Sequence, residues 1–289
     1  MSRAGQITAH GRLDVVATPI GNLADISSRA RETLASADLI AAEDTRRTRQ
    51  LLNALGITGE LRSLHEHNES ERVAELLQQL QSGKVIALVS DAGTPLLSDP
   101  GFALLRAAIA QGIEVRAVPG VSALTAAISV AGLPVDRFAF EGFLPARSGE
   151  RRERLAQLSR EPRTLIFFEA PHRIGATLQE LVSLFGSERP AVIARELTKL
   201  HETIYRGPLG ELAARAESDP DISRGEITLL VTGTNSAPAA DANTQLLVRA
   251  LKLLLAELPP ARAAAIAAQL AGVPRAEAYA LAQRLRAEP

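Results

Sequence analysis

"VIALVSDAGTPLLSDPGFALLRAAIAQG" (residues 85–112) is the stretch that decides the fold class. Residues 85–89 form a branched apolar run, as in a β-strand buried on both faces, whereas residues 101–112 have apolar side chains at helical spacing. The loop between them, residues 90–101, therefore lies at the carboxyl end of a strand. In open α/β sheets this edge binds ligands, helped by unpaired N–H groups of the next helix. The loop is a candidate ligand-binding loop, although a turn with Asp99 as helix N-cap is the more common interpretation of such a loop taken by itself.

Several classes of site are excluded by the sequence. It contains neither the GxxxxGK[ST] nor the GxGxxG fingerprint, so the two standard nucleotide-binding loops are absent. It has no cysteine, which excludes disulfide frameworks and cysteine-based zinc sites. His65 and His67 would share one face of a strand, but they have no clear third ligand. We therefore predict no metal site.

Composition indicates a soluble protein. The first twelve residues lack the apolar core of a signal peptide, and no uninterrupted apolar run reaches the length of about 18 residues needed to span a membrane. These features predict a cytoplasmic location without membrane attachment. The net charge of −1 gives no overall attraction for nucleic acid, so any such attraction would have to come from local patches of basic residues.

The order of predicted elements gives an α/β architecture with two domains, which suits a chain of 289 residues. After a flexible N-terminus (residues 1–12), strands alternate with helices and predict a mostly parallel domain over residues 13–120. Proline and glycine turns in residues 132–145 interrupt this pattern. The predicted strands of the first domain are residues 13–19, 38–44, 85–89 and 113–120, together with a short strand that runs into a polar turn within residues 61–69.

The second half predicts an α/β domain over residues 121–233, with a mixed sheet because its strand candidates lie closer together. Residues 234–244 are polar and rich in proline and alanine, which indicates a linker. Residues 245–289 look wholly helical, and the position of Gly272 is compatible with a helix-turn-helix. We interpret this segment as an accessory helical domain. A nucleic-acid-binding regulator with a ligand domain is the alternative.

Four polar, glycine-bearing or acidic loops follow strands of the first domain. They are "TPIGN" (18–22), "EDTR" (43–46), "SDAGTP" (90–95) and "PGVSA" (119–123). Loops at the carboxyl ends of parallel strands share one edge of the sheet, so these four are expected to converge on one site.

Seven motifs together resemble those of the tetrapyrrole methylase superfamily. In order, they are "VVATPIGN", "AAEDTR", "SDAGTPLLSDPG", "VPGVSA", "GFLP", "FFEAPHR" and "ARELTK". Within that superfamily they resemble the branch that methylates small-subunit ribosomal RNA. The match runs from Leu13 to about Gly233. Two positions depart from the usual motif, with Phe168 in place of tyrosine and Ala170 in place of serine.

The resemblance implies S-adenosylmethionine bound in a cleft between two α/β domains. It also implies a homodimer and 2′-O-methylation of a cytidine in the decoding region of 16S RNA in the small ribosomal subunit. Loop 90–101 would hold the methionine part of the cofactor, where glycine permits close approach of the backbone. The expected cofactor-binding residues are Pro19, Asp91, Ala92, Gly93, Thr94, Ser122, Ala123, Phe168, Ala170 and Thr228.

Methylation of a ribose hydroxyl benefits from a general base or from a cation that stabilises the developing alkoxide. The candidate catalytic residues are Glu169, His172, Glu196 and Lys199, and Glu43 and Asp44 are further acidic candidates. Each has a structural alternative. For example, Glu196 could pair with Arg195 or another surface arginine, and His172 could cap the helix that begins at Ile174.

Residues 147–163 contain six arginines against three glutamates, which predicts contacts with RNA phosphates. A solvated helix face is the alternative for each single arginine. Aromatic residues make up only 3% of the chain, so base stacking is not the expected mode, and Phe138 and Phe143 are the nearest candidates for it. The predicted RNA contacts are Arg46, Arg47, Arg147, Arg151, Arg152 and Arg154. A cobalamin-pathway C-methyltransferase is the closest rival function, against which these arginines and the "EAPHR" and "RELTK" motifs argue.

Overall fold

The computed structural model describes residues 11–65, 68–234 and 238–287. The predicted flexible N-terminus falls largely outside the described residues, and so does His67. The first strand begins at Arg12.

The first half of the chain forms a five-stranded sheet in which every strand pair is parallel, with the strand order β3-β2-β4-β1-β5. Strand β4 lies at the centre and is buried on both faces, as its sequence predicts. Ile86 and Leu88 pack into one apolar core, and Ala87 and Val89 pack into another on the opposite face. The strands are β1 (Arg12–Val16), β2 (Leu39–Ala42), β3 (Leu61–Ser63), β4 (Val85–Val89) and β5 (Glu114–Val118).

Capping residues fix where the helices of the first half begin and end. The Ser27 side chain accepts a hydrogen bond from the Ala30 N–H, and Asp44 accepts one from Arg46. Gly56, with φ +70°, ends the second helix in the left-handed conformation. The helices are α1 (Ser28–Ser36), α2 (Thr45–Leu55), α3 (Glu69–Gln81) and α4 (Phe102–Ala110).

The second half forms a mixed five-stranded sheet with the order β6-β7-β10-β8-β9, in which only the pair β6–β7 is parallel. Its strands are β6 (Phe138–Phe143), β7 (Thr164–Glu169), β8 (Pro190–Arg195), β9 (Thr203–Pro208) and β10 (Ile227–Val231). Its helices are α5 (Ala123–Ala131), α6 (Ser148–Leu158), α7 (Ile174–Phe185) and α8 (Leu209–Ser218).

Strand β6 was not predicted, because the prolines and glycines of residues 132–145 indicate turns. The strand occupies an edge of the sheet, and its register shifts between Phe140 and Gly142. Gly142 has φ +65° at this irregularity. A bulge of this kind breaks the alternation of side chains by which a strand is normally identified.

The predicted helical C-terminal segment is present as α9 (Pro238–Leu254), α10 (Pro260–Ala271) and α11 (Arg275–Ala287). Helix α9 begins inside the segment expected to be a linker, residues 234–244. Gly272, with φ +63°, ends α10 and allows the turn into α11. Buried alanines of α10 and α11 form most of the small core, so these helices pack closely.

These elements confirm the predicted fold class, two α/β units with a parallel and a mixed sheet plus C-terminal helices. Within the ranges that the structure describes, no helix combines the length and apolar character needed to cross a membrane.

Candidate active site

A cavity of about 420 Å³ lies between the two sheets. The first sheet contributes the loops after β1, β2, β4 and β5, and the second contributes the ends of β6, β7 and β8 and the start of β10. The convergence of loops predicted from the sequence therefore occurs. Nine predicted cofactor-binding residues line this cavity: Asp91, Ala92, Gly93, Thr94, Ser122, Ala123, Phe168, Ala170 and Thr228. The tenth, Pro19, is not in the lining and lies between Thr18 and Ile20.

Gly93 joins two loops of the cavity wall. Its backbone exchanges two hydrogen bonds with Thr18, with N–O distances of 2.9 and 3.0 Å. Its φ of +81° is one that side-chain-bearing residues rarely adopt, and an added Cβ would lie 3.2 Å from a methyl carbon of Ile20. Next to it, the Thr94 hydroxyl donates to the Val121 carbonyl at 3.1 Å. These bonds fix the loop after β4 against the loops after β1 and β5.

Aromatic side chains form the wall contributed by the second sheet. The Phe168 ring packs edge-to-face on Phe140 and Phe143, with centroid distances of 4.9 and 5.7 Å. Phe143 is 56% exposed. Thr228 is buried and stands opposite Phe168 in the β7–β10 pairing. This wall offers a flat apolar surface beside a hydroxyl group.

Three carboxyl groups, those of Glu43, Asp91 and Asp99, line the first-sheet end of the cavity. Asp91 accepts a hydrogen bond from the Asp44 N–H at 2.9 Å and lies 3.3 Å from a guanidinium nitrogen of Arg47. Burial raises the pKa of Asp99 to about 6, and nearby Asp91 adds to the effect. Burial also raises the pKa of Glu43, with further contributions from the charges of Asp91 and Asp99. This end of the cavity is negatively charged and partly desolvated.

Asp99 lines the cavity but was not predicted as a site residue. It was considered only as a helix N-cap, whereas the N-cap of α4 is Gly101, and no side chain of the same loop caps that helix. Glu69 does so instead, because its carboxylate accepts hydrogen bonds from the N–H groups of Gly101 and Ala103, both at 3.1 Å. Asp99 is thereby left to line the cavity. The only feature of the sequence that could have pointed to Asp99 as a site residue is that loop 90–101 contains a second aspartate besides Asp91.

Glu169, a candidate catalytic residue, has a fully buried side chain. Its carboxylate accepts hydrogen bonds from the Thr177 hydroxyl at 2.6 Å and the Ala170 N–H at 2.8 Å, and it lies 3.2 Å from Arg173 Nε. These contacts tie the end of β7 to the start of α7. His172 lies in the same turn, but it is exposed and does not contribute to the lining.

Glu196 and Lys199, the other two candidates, form an ion-pair cluster with Glu226 at the rim of the cavity. Lys199 Nζ lies 2.8 Å from Glu196 Oε1 and 3.1 Å from Glu226 Oε2, and Glu226 lines the cavity. Burial alone would lower the pKa of Lys199, but the hydrogen bonds to the two glutamates raise it overall. Lys199 therefore carries its positive charge at neutral pH. The alternative pairing of Glu196 with Arg195 does not form, since Arg195 donates to two backbone carbonyls.

The loop that carries this cluster is held in an unusual backbone conformation. Glu196 and Thr198 have φ values of +52° and +66°. The aliphatic part of Lys199 lies over Gly21 of the first half, where an added Cβ would come within 2.3 Å of Lys199 Cγ. The loop therefore reaches across the cleft and touches the loop after β1.

Five of the six arginines predicted to bind RNA are exposed. Arg152 has no ion pair among the residues that the structure describes. Exposed ion pairs contribute little to stability, so the other four can exchange a carboxylate for a phosphate at low cost. Those pairs are Arg46 with Asp44, Arg47 with Asp91, Arg147 with Glu150 and Arg154 with Glu141.

Arg151 does not lie on the surface where the sequence predicted it to contact RNA. Its side chain is only 6% exposed and forms a two-pronged ion pair with Glu180 of α7, at 2.7 and 2.9 Å. It shares the buried face of α6 with Leu155 and Leu158. A buried guanidinium that is paired with Glu180 cannot reach an RNA phosphate, so Arg151 belongs to the interior of the second half.

Within residues 11–65, 68–234 and 238–287, no three histidine, cysteine, aspartate or glutamate side chains are grouped so that they could hold a metal ion.

Two family models match the chain. One, described as Tetrapyrrole (Corrin/Porphyrin) Methylases, matches residues 12–213, and the other, described as the RsmI C-terminal HTH domain, matches residues 240–286. The first model covers more than half of the chain and confirms the resemblance drawn from the motifs.

Curated relatives match over nearly their whole length. A protein named "Ribosomal RNA small subunit methyltransferase I" from Xylella fastidiosa (strain Temecula1) is 52% identical over 93% of this chain and 98% of its own length. A Pseudomonas aeruginosa protein of the same name is 53% identical over 91% of this chain and 93% of its own length.

Solved structures support the fold. A uroporphyrin-III-C-methyltransferase from Thermus thermophilus has a TM-score of 0.56 at 23% identity, covering 77% of this chain and 94% of that one. A diphthine synthase has a TM-score of 0.58 at 18% identity, covering 77% and 90%. At this level of identity the likeness concerns the fold alone.

Proposed function

Because the chain belongs to the tetrapyrrole methylase family and, within it, to the ribosomal RNA small subunit methyltransferase I branch, we propose that it is an S-adenosylmethionine-dependent RNA methyltransferase. Its acceptor is the ribose 2′-hydroxyl of a cytidine in the decoding region of 16S RNA. The observation that carries this proposal is the identity of about half of all residues over nearly the full length of relatives with that name. The rival tetrapyrrole C-methyltransferase function has only the fold in its favour.

The cavity fits S-adenosylmethionine, which supplies a methyl group on a positively charged sulfur. Its volume of about 420 Å³ lies within the usual range for small-molecule sites, roughly 300–1,000 Å³. Phe168 and Phe143 offer a surface for the adenine, and the carboxylates at the other end complement the sulfonium and ammonium charges. The backbone around Gly93 leaves room for the methionine part, and Arg47 is available to its carboxylate.

The four candidate catalytic residues take different roles in this proposal. Lys199 is a fixed cation near the rim, suited to stabilising negative charge on the acceptor oxygen. Glu196 positions Lys199, and Glu169 holds the turn between β7 and α7 through its three buried contacts. His172 is exposed outside the cavity and is available to the RNA.

The proposed reaction is tested with the purified protein and small ribosomal subunits from a strain that lacks this enzyme. We expect labelled methyl groups to appear on one cytidine of 16S RNA, in an alkali-stable dinucleotide that identifies 2′-O-methylation. A short unstructured oligonucleotide with the same sequence is expected to react poorly, because a basic surface with few aromatic residues suits a preformed RNA shape. Methyl groups on a base, or equal turnover of the oligonucleotide, would contradict the proposal.

Arg152 gives a test of the RNA surface. We expect Arg152→Gln to weaken binding to small subunits and to reduce the slope of log affinity against log salt by about one, because one phosphate contact is lost. Arg116→Gln is the matched control, since Arg116 is an exposed, glutamate-paired arginine on β5. A salt slope unchanged by Arg152→Gln in filter-binding titrations would remove Arg152 from the interface.

The proposal also covers the oligomeric state of the enzyme and its location in the cell. The family resemblance supports a homodimer, and Phe102 and Ile109, two side chains on one face of α4, are 64% and 60% exposed. The C-terminal helices aid docking on the small subunit or packing of the dimer. The enzyme acts in the cytoplasm, where bacterial ribosomal subunits are assembled.

A further inference from the structure

We propose that Leu200 is a wedge that inserts into the RNA beside the target nucleotide and holds the strand open while the acceptor enters the cleft. This inference rests on the proposed function in one respect, namely that the acceptor lies within a structured RNA. It assigns a role in substrate recognition to a residue that belongs neither to the sequence motifs nor to the cavity lining.

Leu200 is distinguished first by its exposure. Its side chain is 92% exposed, the highest value among the large apolar residues that the structure describes. Leu197, three positions earlier in the loop between β8 and β9, is buried in the same apolar cluster as Ile20 of the first half. One leucine thus anchors this loop in the core, whereas the other projects into solvent. Because single exposed apolar side chains are common on protein surfaces, the exposure alone assigns no function.

Hydrogen bonds on both sides of Leu200 hold the loop in its shape. The Thr198 N–H donates to the Glu202 carboxylate at 2.6 Å. The buried guanidinium of Arg195 donates to the His201 carbonyl at 3.0 Å. Neither bond involves the Leu200 side chain, so the loop does not need a leucine at this position in order to fold.

The loop also has a conformation that its own residues disfavour. Thr198 has φ +66°, which is an outlier for a β-branched residue. Its hydroxyl oxygen is buried and has no hydrogen-bond partner in the described part of the chain. Strain of this kind persists only where the surroundings impose it, and it is concentrated at functional sites. This loop therefore presents its exposed residues, Leu200 among them, at some cost in stability.

Leu200 stands at the mouth of the candidate active site. The residue before it, Lys199, pairs with Glu226 of the cavity lining, and the lysine stem lies over Gly21 on the other side of the cleft. Phe143 borders the same cavity from the end of β6. An RNA that delivers an acceptor to this cavity has to pass over this rim, so the RNA is the partner that covers Leu200.

The chemistry of leucine decides which part of the RNA it contacts. An aliphatic side chain forms no hydrogen bond with a phosphate or with the edge of a base, whereas it packs well on the flat face of a base. Proteins that open stacked nucleic acids insert leucine, phenylalanine, isoleucine, methionine or proline between neighbouring bases for this reason. A wedge of this kind does not read the base sequence. It favours a strand in which the target nucleotide is unstacked and free to enter the cleft.

Two variants of similar size test the inference, because Leu200→Met keeps an apolar side chain and Leu200→Asn replaces it with a polar one. At saturating cofactor and small subunits, we expect the single-turnover rate to fall by about 10–100-fold for Leu200→Asn and to stay within about threefold of wild type for Leu200→Met. Affinity for S-adenosylhomocysteine and melting temperature should be unchanged in both, since this side chain is nearly fully exposed and lies outside the cavity lining.

Fluorescence reports the opening of the strand directly. Small subunits are reconstituted with 2-aminopurine, whose fluorescence rises when it unstacks, immediately before or after the methylated cytidine. The wild-type enzyme and Leu200→Met should raise the fluorescence of at least one of these two preparations, and Leu200→Asn should raise neither. An abasic nucleotide at the responding position removes the stacking in advance, so it should restore the rate of Leu200→Asn to within about threefold of wild type.

Several results would overturn the inference. They are a wild-type rate for Leu200→Asn, no rise in fluorescence with the wild-type enzyme, and no recovery with the abasic nucleotide. A change of oligomeric state in Leu200→Asn, measured by sedimentation, would also overturn it, because Leu200 would then face a second copy of the chain.

Failure of the proposed function gives a different result. If the wild-type enzyme places no methyl group on 16S RNA, the proposed function itself is wrong. If the methyl group is found on a base, the proposed acceptor is wrong, while the fluorescence and the abasic rescue still test the wedge. If the product is a 2′-O-methyl ribose and Leu200→Asn reacts at the wild-type rate, only the role of Leu200 is wrong.

Discussion

A Gly93→Val variant is expected to bind S-adenosylmethionine at least about 100-fold more weakly than the wild-type protein, a loss of roughly 2.7 kcal/mol. A valine at φ +81° is strained, and its Cβ would lie 3.2 Å from an Ile20 methyl carbon. Its two methyl groups would project beyond that point, at the wall of the cavity proposed to hold the cofactor. Isothermal titration calorimetry measures this loss directly.

The control separates backbone strain from obstruction of the cavity. Gly112 has φ +69° and nothing within 4 Å of an added Cβ, and it lies at the amino end of β5, the edge of the sheet away from the cavity. Gly112→Val should therefore lower the melting temperature through strain, while the affinity for the cofactor stays at the wild-type value. Equal cofactor affinity in both variants would mean that Gly93 does not border the cofactor.

The second large effect concerns stability. Arg151→Met is expected to destabilise the protein by about 3 kcal/mol, because it leaves the carboxylate of Glu180 largely buried without its partner. For a protein of this size that corresponds to a fall of about 6–12 °C in melting temperature. Calorimetric melting of the purified variant measures the change.

A double variant tests the cause. Arg151→Met combined with Glu180→Met removes both charges and should recover most of the lost stability, since apolar side chains often replace a buried ion pair without loss. Arg152→Gln, one position along α6 but exposed, should melt within about 1 °C of wild type. A normal melting temperature for Arg151→Met, together with weaker RNA binding, would restore Arg151 to the RNA surface.

The central strand of the first sheet could be predicted from the sequence, because the strand propensity of its residues agrees with their burial on both faces of the sheet. The apolar run before loop 90–101 is long enough for a strand, and no side chain in it favours water, so Val85–Val89 was predicted with both of its ends. Strand β6 could not be predicted in this way. Its bulge at Gly142 arises from contacts with β7 that lie far along the chain.

The same distinction, between local sequence features and contacts with distant elements, applies to the residues of the candidate site. Motifs identified the loops around the cavity, because loops at one sheet edge must converge. Motifs could not indicate which carboxylates already have partners, since that depends on side chains from distant elements, as with Arg173 and Thr177 around Glu169. Arg151 could have been recognised as buried, because it shares the spacing of Leu155 and Leu158 on one face of α6.

The contact between Lys199 and Gly21 sets how closely the two halves of the enzyme can approach. With no side chain at position 21, the lysine stem itself acts as the spacer across the cleft, while its charged end stays clamped between Glu196 and Glu226. The width of the cleft and the position of the Lys199 ammonium group therefore change together. Any bulk added at position 21 would either widen the entrance or displace the ammonium group from its place between Glu196 and Glu226, so the clearance of the cleft and the position of this charge cannot evolve separately.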